Sequence, residues 1–508
     1  MCGPPPAEAA PLLASTRPTA SLRCAAVVSA ALCLLAYAAR GPAAALAPAA
    51  LAVEADGPAT DGPPGGWARV LDRHLLDGDP RAVCNDGTPA LYYHAPSARG
   101  GAAWVVHLQG GGACVSADEC AANEAAYAAK GQTWHFSSEA SKEHLGAAAG
   151  TILSDGESAL LGDAHAVYVW YCSSDAWVGD RGASDATGGR HFRGSRILDA
   201  VFDDLERNRG LGAAGAETLV VFSGSSAGGR GVVQHADRLA KRVREHCGGT
   251  LLAVVDSAVY LDVPLPADAR RAVDGTAPGS PTPWAETYAR NQLAFAHGRV
   301  AERCAARFGG DDAWRCYVTE DALPYVEAPL VVFQALDDAF LLHRVSDINP
   351  DVMAADDAAA FAAWRGSEAS YLRSRLDAAQ RAASARVHAR YEAAFAKLPA
   401  TAAVYAPSCW MHEELTKGAA VVGDGGGAPE LLGNYRNLEA VGGESFAAYV
   451  DRFAAAALAG GAPPAPVVDA CAGFACGAGC FATARGEVAD VADPFTYAAA
   501  GFDAPPAP

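Results

Sequence analysis

Six short apolar runs, each followed at once by a polar or glycine-rich segment, constrain this chain most. The runs are Trp104–Leu108, Ala166–Trp170, Thr218–Phe222, Leu251–Val255, Leu330–Phe333 and Ala402–Tyr405. Uninterrupted apolar runs this short suit strands buried on both faces. Helical spacing separates several of them, as in Ile197, Leu198, Val201, Phe202 and Leu205, or Val232, Val233, Ala236, Leu239 and Val243. Alternating strands and helices predict an α/β fold, a doubly wound and mainly parallel sheet with helices on both faces. The segments that follow the runs are LQGGGAC, YCSSD, SGSSAGG, DSAVYLD, QALDDAF and APSCWMH. In an open α/β sheet, ligands bind beyond the carboxyl ends of the strands, so all six segments are expected to meet in one crevice.

Within SGSSAGG lies a G-x-S-x-G pentad, Gly224 to Gly228, between a strand run and a helical pattern. That context suits a nucleophile on a sharp strand-to-helix turn and marks Ser226. A serine hydroxyl needs a base to take its proton and a carboxylate to orient that base, in the chain order Ser, acid, His. Of the later histidines, His412 follows the last strand run through a tight APSC turn, whereas His235 and His246 belong to the helix leaving Ser226 and His388 to a charged helical stretch. His412 is therefore the expected base. Asp337 and Asp338 both follow LVVFQAL, and Asp337 is preferred by position. Asp256 and Asp262 read as parts of a buried hydrogen-bonded loop that supports the crevice. The run Gly110, Gly111, Gly112 offers bare backbone N–H groups which, with the N–H of Ala227, can receive an oxyanion.

These segments carry a resemblance. GSSAGG at Ser226, LQGGGAC at Leu108 to Cys114, YCSSDAWVGD at Tyr171 to Asp180, DSAVYLD at Asp256 to Asp262 and PSCWMHEE at Pro407 to Glu414 together resemble the pectin acetylesterase and Notum family. CNDGTPALYY from Cys84 and HFRGSRI from His191 resemble further family segments, so the likeness spans about Trp67 to Phe453. It implies an α/β-hydrolase-like, disulfide-containing esterase with Ser226, Asp337 and His412 as the triad and Gly111, Gly112 and Ala227 as oxyanion donors. It also implies a Cys114–Cys120 bridge and makes Cys172 and Cys409 half-cystines. The chain departs from the family at Gln109, where Glu is usual, and at Ala113, where an aromatic is usual.

The expected activity is removal of O-acetyl groups from an extracellular or secretory-pathway polysaccharide. One alternative is a Notum-like deacylase taking a fatty acyl group from a protein; another is a catalytically silent carbohydrate-binding protein. Neither a metal nor an organic cofactor is expected, since no His/Cys cluster has zinc spacing. A net charge of -19 excludes a nucleic-acid partner, which would need clustered Lys and Arg.

Arg17 and Arg23 precede an uncharged stretch, Cys24 to Ala39, and a small-residue segment to Ala50. This layout predicts a signal peptide within residues 1–52, short for a bilayer span, with membrane attachment as a type II signal anchor the alternative. Loss of Cys2, Cys24 and Cys33 with it leaves 11 of the 14 cysteines, which in an exported chain predicts disulfides and an odd thiol. A linker over 53–66, an esterase domain over 67–458 and a Pro/Ala-rich, Cys-containing tail over 459–508 complete the expected organisation. Asp356 to Lys397 reads as a peripheral helical excursion without chemistry.

Overall fold

The computed structural model describes residues 68–477 except 130–134, 148–149, 155–157, 159, 265–278, 347, 349–372, 414, 417–418, 422–442 and 472. The described residues all fall within one compact unit. The expected export segment, the linker and the end of the tail lie outside the described residues.

All six apolar runs form strands: β3 (Ala103–Leu108), β5 (His165–Val169), β6 (Leu219–Ser225), β7 (Thr250–Asp256), β8 (Leu330–Phe333) and β10 (Ala402–Ala406). They lie side by side in the order β5-β3-β6-β7-β8-β10, every neighbouring pair parallel. An antiparallel edge completes one side of the 11-stranded sheet: β1 (Arg69–Leu75), β2 (Leu91–Ala95), β4 (His144–Ala147) and β12 (Ala419–Val421). The other side ends in β13 (Val467–Val468), parallel to β10. The sheet thus runs past the expected domain boundary at 458, and the first part of the tail belongs to the core.

All seven residues of β6 are buried. The helix Ala227–Cys247 then packs on β6 and β7 through Val232, Val233, Ala236, Leu239 and Val243, the positions that helical spacing singles out. Each of the Val and Leu side chains taken from water contributes roughly 1.5–3 kcal/mol. The helix stops at Gly248, whose φ of 74° suits a residue without Cβ. On the other flank, Phe446–Leu458 packs against β10 and β7.

Disulfides fasten the loops at the carboxyl ends of the strands. Cys84–Cys172 ties the YCSSD segment to the turn before β2, Cys114–Cys120 closes the loop after β3, and Cys304–Cys316 and Cys471–Cys476 lie farther along. Cys409 is also disulfide-bonded, and Cys247 is free.

Candidate functional site

Ser226 occupies the corner between β6 and the helix Ala227–Cys247, with φ 53° and ψ -118° and almost no exposure. A non-glycine residue holds such a backbone only when its surroundings enforce it. Here the Ser226 N–H donates to the Asp256 carbonyl at 2.9 Å, and glycines supply the clearance. A Cβ on Gly224 would lie 2.5 Å from the Gly228 carbonyl carbon, and one on Gly228 would lie 2.0 Å from the Leu108 carbonyl oxygen. The pentad's glycines are therefore required by close backbone approach on both sides of the serine.

His412 stands just beyond β11 (Trp410–Met411), which pairs in parallel with the two-residue β9 (Asp337–Asp338). Its Nδ1 lies 2.9 Å from Asp338 Oδ2, and the Asp338 side chain is 3% exposed. This corrects the sequence-based assignment of Asp337. Successive strand side chains point to opposite faces, so only one of the two carboxylates can meet the histidine. Asp337 faces the other way. Its Oδ1 accepts from Ser384 Oγ at 2.9 Å and faces His388 Nε2 at 2.8 Å, while its Oδ2 accepts from Ser408 Oγ at 2.8 Å and the Ala475 N–H at 2.9 Å. The helix Ala378–Phe395, read as devoid of chemistry, thus brings His388 and Ser384 to a buried polar hub.

The pKa of His412 lies above its ordinary value: burial opposes the charged form, but the charge of Asp338 and its hydrogen bond outweigh it, helped by Glu413 and Asp256. The Phe340 ring stacks on the imidazole with centroids 5.1 Å apart. His412 Nε2 is buried and has no hydrogen-bond partner among the described residues. Ser226 Oγ lies 3.1 Å from the Tyr260 hydroxyl instead. Asp256, fully buried, joins the serine corner to the histidine loop: its carboxylate accepts from Ser225 Oγ at 2.6 Å, from Ser257 Oγ at 2.9 Å and from the Leu415 N–H at 2.9 Å. The Glu413 N–H donates to Ser257 Oγ at 2.9 Å. The expected supporting role of this loop matches its geometry; Asp262, farther along, has its pKa pushed up to about 6 by burial and by Asp321 and Glu320.

The loop carrying Gly110, Gly111 and Gly112 is shaped by tight neighbours. A Cβ on Gly110 would fall 2.0 Å from Glu413 Oε1, and one on Gly111, at φ 149°, would fall 2.6 Å from the Tyr171 ring. Gln109 secures the loop: its Oε1 accepts from the Tyr171 N–H at 2.9 Å, and its carbonyl accepts from Trp177 Nε1 at 3.1 Å. The N–H of Ala227, first in its helix, has no intrahelical acceptor. Ser226, His412, Ala227 and the glycine loop all lie at the carboxyl ends of β6, β10 and β3, as the sequence predicts. Tyr260, Arg230 and Phe340 were not foreseen; only the sequence DSAVYLD, with an aromatic inside a polar loop, hinted at Tyr260.

The arrangement has the parts of acyl transfer: a strained serine, an imidazole oriented by a buried carboxylate, and next to the serine the Ala227 N–H at the start of its helix. Among the described residues, no group of three or more His, Cys, Asp or Glu side chains is placed to hold a metal ion.

A family model described as pectinacetylesterase matches residues 70–422. The chain is 34% identical to the palmitoleoyl-protein carboxylesterase NOTUM of Schmidtea mediterranea over 266 residues, 51% of this chain and 47% of that protein. It is 31% identical to the human protein of that name over 275 residues, 53% of this chain and 51% of that protein. The chain therefore matches about half the length of these curated relatives. In fold it is similar to the Wnt deacylase Notum from Drosophila, with a TM-score of 0.64 and 22% identity over 81% of this chain and 99% of that one.

Proposed function

Because the chain belongs to the pectinacetylesterase family, we propose that it is a serine carboxylic ester hydrolase that removes O-acetyl groups from an extracellular or secretory-pathway polysaccharide. The observation that carries this reading is the strained Ser226 corner set at the same sheet end as the His412–Asp338 pair.

In the proposed cycle, Ser226 exchanges its hydrogen bond to Tyr260 for one to His412 Nε2. Its Oγ then attacks the ester carbonyl as Nε2 takes the proton. Asp338 holds Nδ1 protonated and stabilises the imidazolium. The oxyanion is received by the N–H groups of Ala227, Gly111 and Gly112; each such donor is worth about 100- to 1000-fold in rate. The imidazolium returns its proton to the departing sugar hydroxyl, leaving an acetyl-enzyme. Water, deprotonated by His412, releases acetate and restores Ser226. No cofactor enters this cycle.

The relatives named palmitoleoyl-protein carboxylesterases motivate the second reading, a fatty acyl group removed from a protein. Against it stand the Tyr260 hydroxyl at 3.1 Å from Ser226 Oγ and the buried Arg230 guanidinium stacked 3.6 Å from the Tyr260 ring. A long acyl chain gains about 0.8 kcal/mol per buried CH₂ only against apolar walls. The His412–Asp338 pair speaks against a silent binding protein. Disulfides near the site support export through an oxidising compartment, with residues 1–52 as the export segment. Among the described residues no helix is long and apolar enough to cross a membrane.

The test is hydrolysis of 4-nitrophenyl acetate and 4-nitrophenyl octanoate by the purified protein. Higher kcat/KM on the acetyl ester is expected. A clear preference for octanoate favours the lipid-deacylase reading, and no turnover of either refutes both.

A further inference from the structure

Buried phenols in this chain ordinarily give their hydrogen to the framework. Tyr93, Tyr405 and Tyr449 donate to the backbone carbonyls of Lys142, Glu444 and Ala465 at 3.0, 2.8 and 3.1 Å. Tyr260 is buried as well, yet among the described residues its hydroxyl has one hydrogen-bond partner, Ser226 Oγ at 3.1 Å. A tyrosine hydroxyl both donates and accepts, so a satisfied phenol would be the whole account if that partner were inert. Here the partner is the atom that must leave the phenol to reach His412 Nε2, and its departure frees a buried donor that is costly to leave unpaired.

The loop that carries Tyr260 is fixed along its length. The N–H groups of Ser257, Val259, Tyr260 and Asp262 donate to the Phe333 carbonyl at 3.0 Å, Gln334 Oε1 at 2.9 Å, Thr319 Oγ1 at 2.7 Å and Glu320 Oε2 at 3.1 Å. Phe340 closes the other side, edge-on to the Tyr260 ring at 5.5 Å between centroids while it stacks on His412. The hydroxyl therefore stands in place before a substrate arrives, and a preorganised donor needs no reorganisation as charge develops. Burial pushes the pKa of this phenol up, so it keeps its hydrogen at neutral pH.

We infer that Tyr260 is a catalytic residue of this esterase: its hydroxyl donates a hydrogen bond to the oxyanion formed on the acyl carbon bound to Ser226, beside the backbone N–H of Ala227. When Oγ turns to His412 and attacks, the carbonyl oxygen of the ester, joined to the same carbon, takes the place beside the phenol. A bond to a neutral hydroxyl is exchanged for a bond to an anion, which is shorter and stronger. That gain exists in the tetrahedral state and not in the ground state, which is the condition for it to lower the barrier. The phenol keeps its hydrogen throughout, and His412 alone carries the proton from Ser226 to the leaving alcohol. The inference rests on the esterase reading above and adds a side-chain donor to the backbone ones.

The test is Tyr260→Phe, which removes the hydroxyl and keeps the ring. On 4-nitrophenyl acetate, kcat should fall at least about tenfold, toward the roughly 100- to 1000-fold that one oxyanion donor is worth, while KM moves less than about threefold. The Ki of trifluoroacetophenone, whose hemiketal with Ser226 bears the same oxyanion, should rise by the factor by which kcat/KM falls. A merely structural phenol would not link the two. Should that variant not fold, Thr319→Val, which releases the Tyr260 N–H, takes its place, with a loss in kcat of at least about threefold. A kcat at or above wild type, which makes the phenol a resting lock on Ser226, or a Ki that stays put while kcat falls, overturns the inference. If the wild type hydrolyses no ester, the esterase reading fails, and Tyr260 is judged by the rate at which a fluorophosphonate labels Ser226, since phosphonylation also builds charge on an oxygen. Labelling should slow at least about tenfold in Tyr260→Phe; equal rates, or no labelling of the wild type, overturn the donor.

Discussion

Replacing Asp338 by Asn separates two adjacent carboxylates that look interchangeable in sequence. Asp338 Oδ2 faces His412 Nδ1 at 2.9 Å, with the Asp338 side chain buried and that of His412 partly so. An amide there presents either an N–H that clashes with the Nδ1 proton or a neutral acceptor that no longer stabilises the imidazolium, so the base loses both its tautomer and its charge partner. On known triads this costs about 10⁴ in kcat, and at about 1.4 kcal/mol per decade a 10³- to 10⁴-fold loss corresponds to about 4–5.5 kcal/mol of transition-state stabilisation. The acid limb of the pH–rate profile moves too. His412 must be neutral to accept a proton, so activity rises through its pKa, which Asp338 holds above the ordinary value. Without that charge, burial acts with less opposition, and the limb shifts to lower pH. Asp337→Asn should behave differently: kcat falls less than about tenfold, while the amide meets donors from Ser384, Ser408 and Ala475 that need an acceptor, costing about 2–3 kcal/mol of stability. Steady-state kinetics on an acetyl ester from pH 5 to 9, with thermal unfolding of each variant, reads both effects. Equal losses of kcat in two folded variants would refute the argument from strand alternation.

Ser226→Ala should abolish turnover while circular dichroism and Tm stay near wild type; substantial residual hydrolysis contradicts the nucleophile. Gly228→Ala forces a Cβ to 2.0 Å from the Leu108 carbonyl oxygen, so it should unfold the corner or lower stability by several kcal/mol, at least about 3, read by denaturant titration. Peptide mapping without reductant should recover Cys84–Cys172, Cys114–Cys120 and Cys304–Cys316, with Cys247 the cysteine among the described residues that alkylates. Ready alkylation of Cys172 in the native protein would count against export.

The parallel strands were legible because burial on both faces removes the need for alternation, so LVVF and its like stand out from an Ala-rich background. The antiparallel edge was not: β1 reads RVLDRHL, with charged residues on both faces, buried Arg69 among them, and too few apolar ones to mark the strand. Ser226 and His412 could be placed from chain order and turn chemistry, which are local. The acid could not, since Asp337 and Asp338 are neighbours and only pairing with Trp410 and Met411 decides which of them turns toward the histidine. Tyr260 and Arg230 meet through a loop folding back over a helix, a contact across 30 positions that no periodicity announces.

That two-residue pairing has an evolutionary corollary. Trp410 opposite Asp337 and Met411 opposite Asp338 is one of two frames the strands could adopt, and a slip by one residue turns each side chain to the opposite face. The hub beneath would then receive the carboxylate meant for the histidine, and the histidine the one meant for the hub. Substitutions around β9 and β11 are thus tolerable in a way that single-residue insertions and deletions are not. Indels in this lineage should fall in the surrounding loops and spare the span from Leu336 to Ala339.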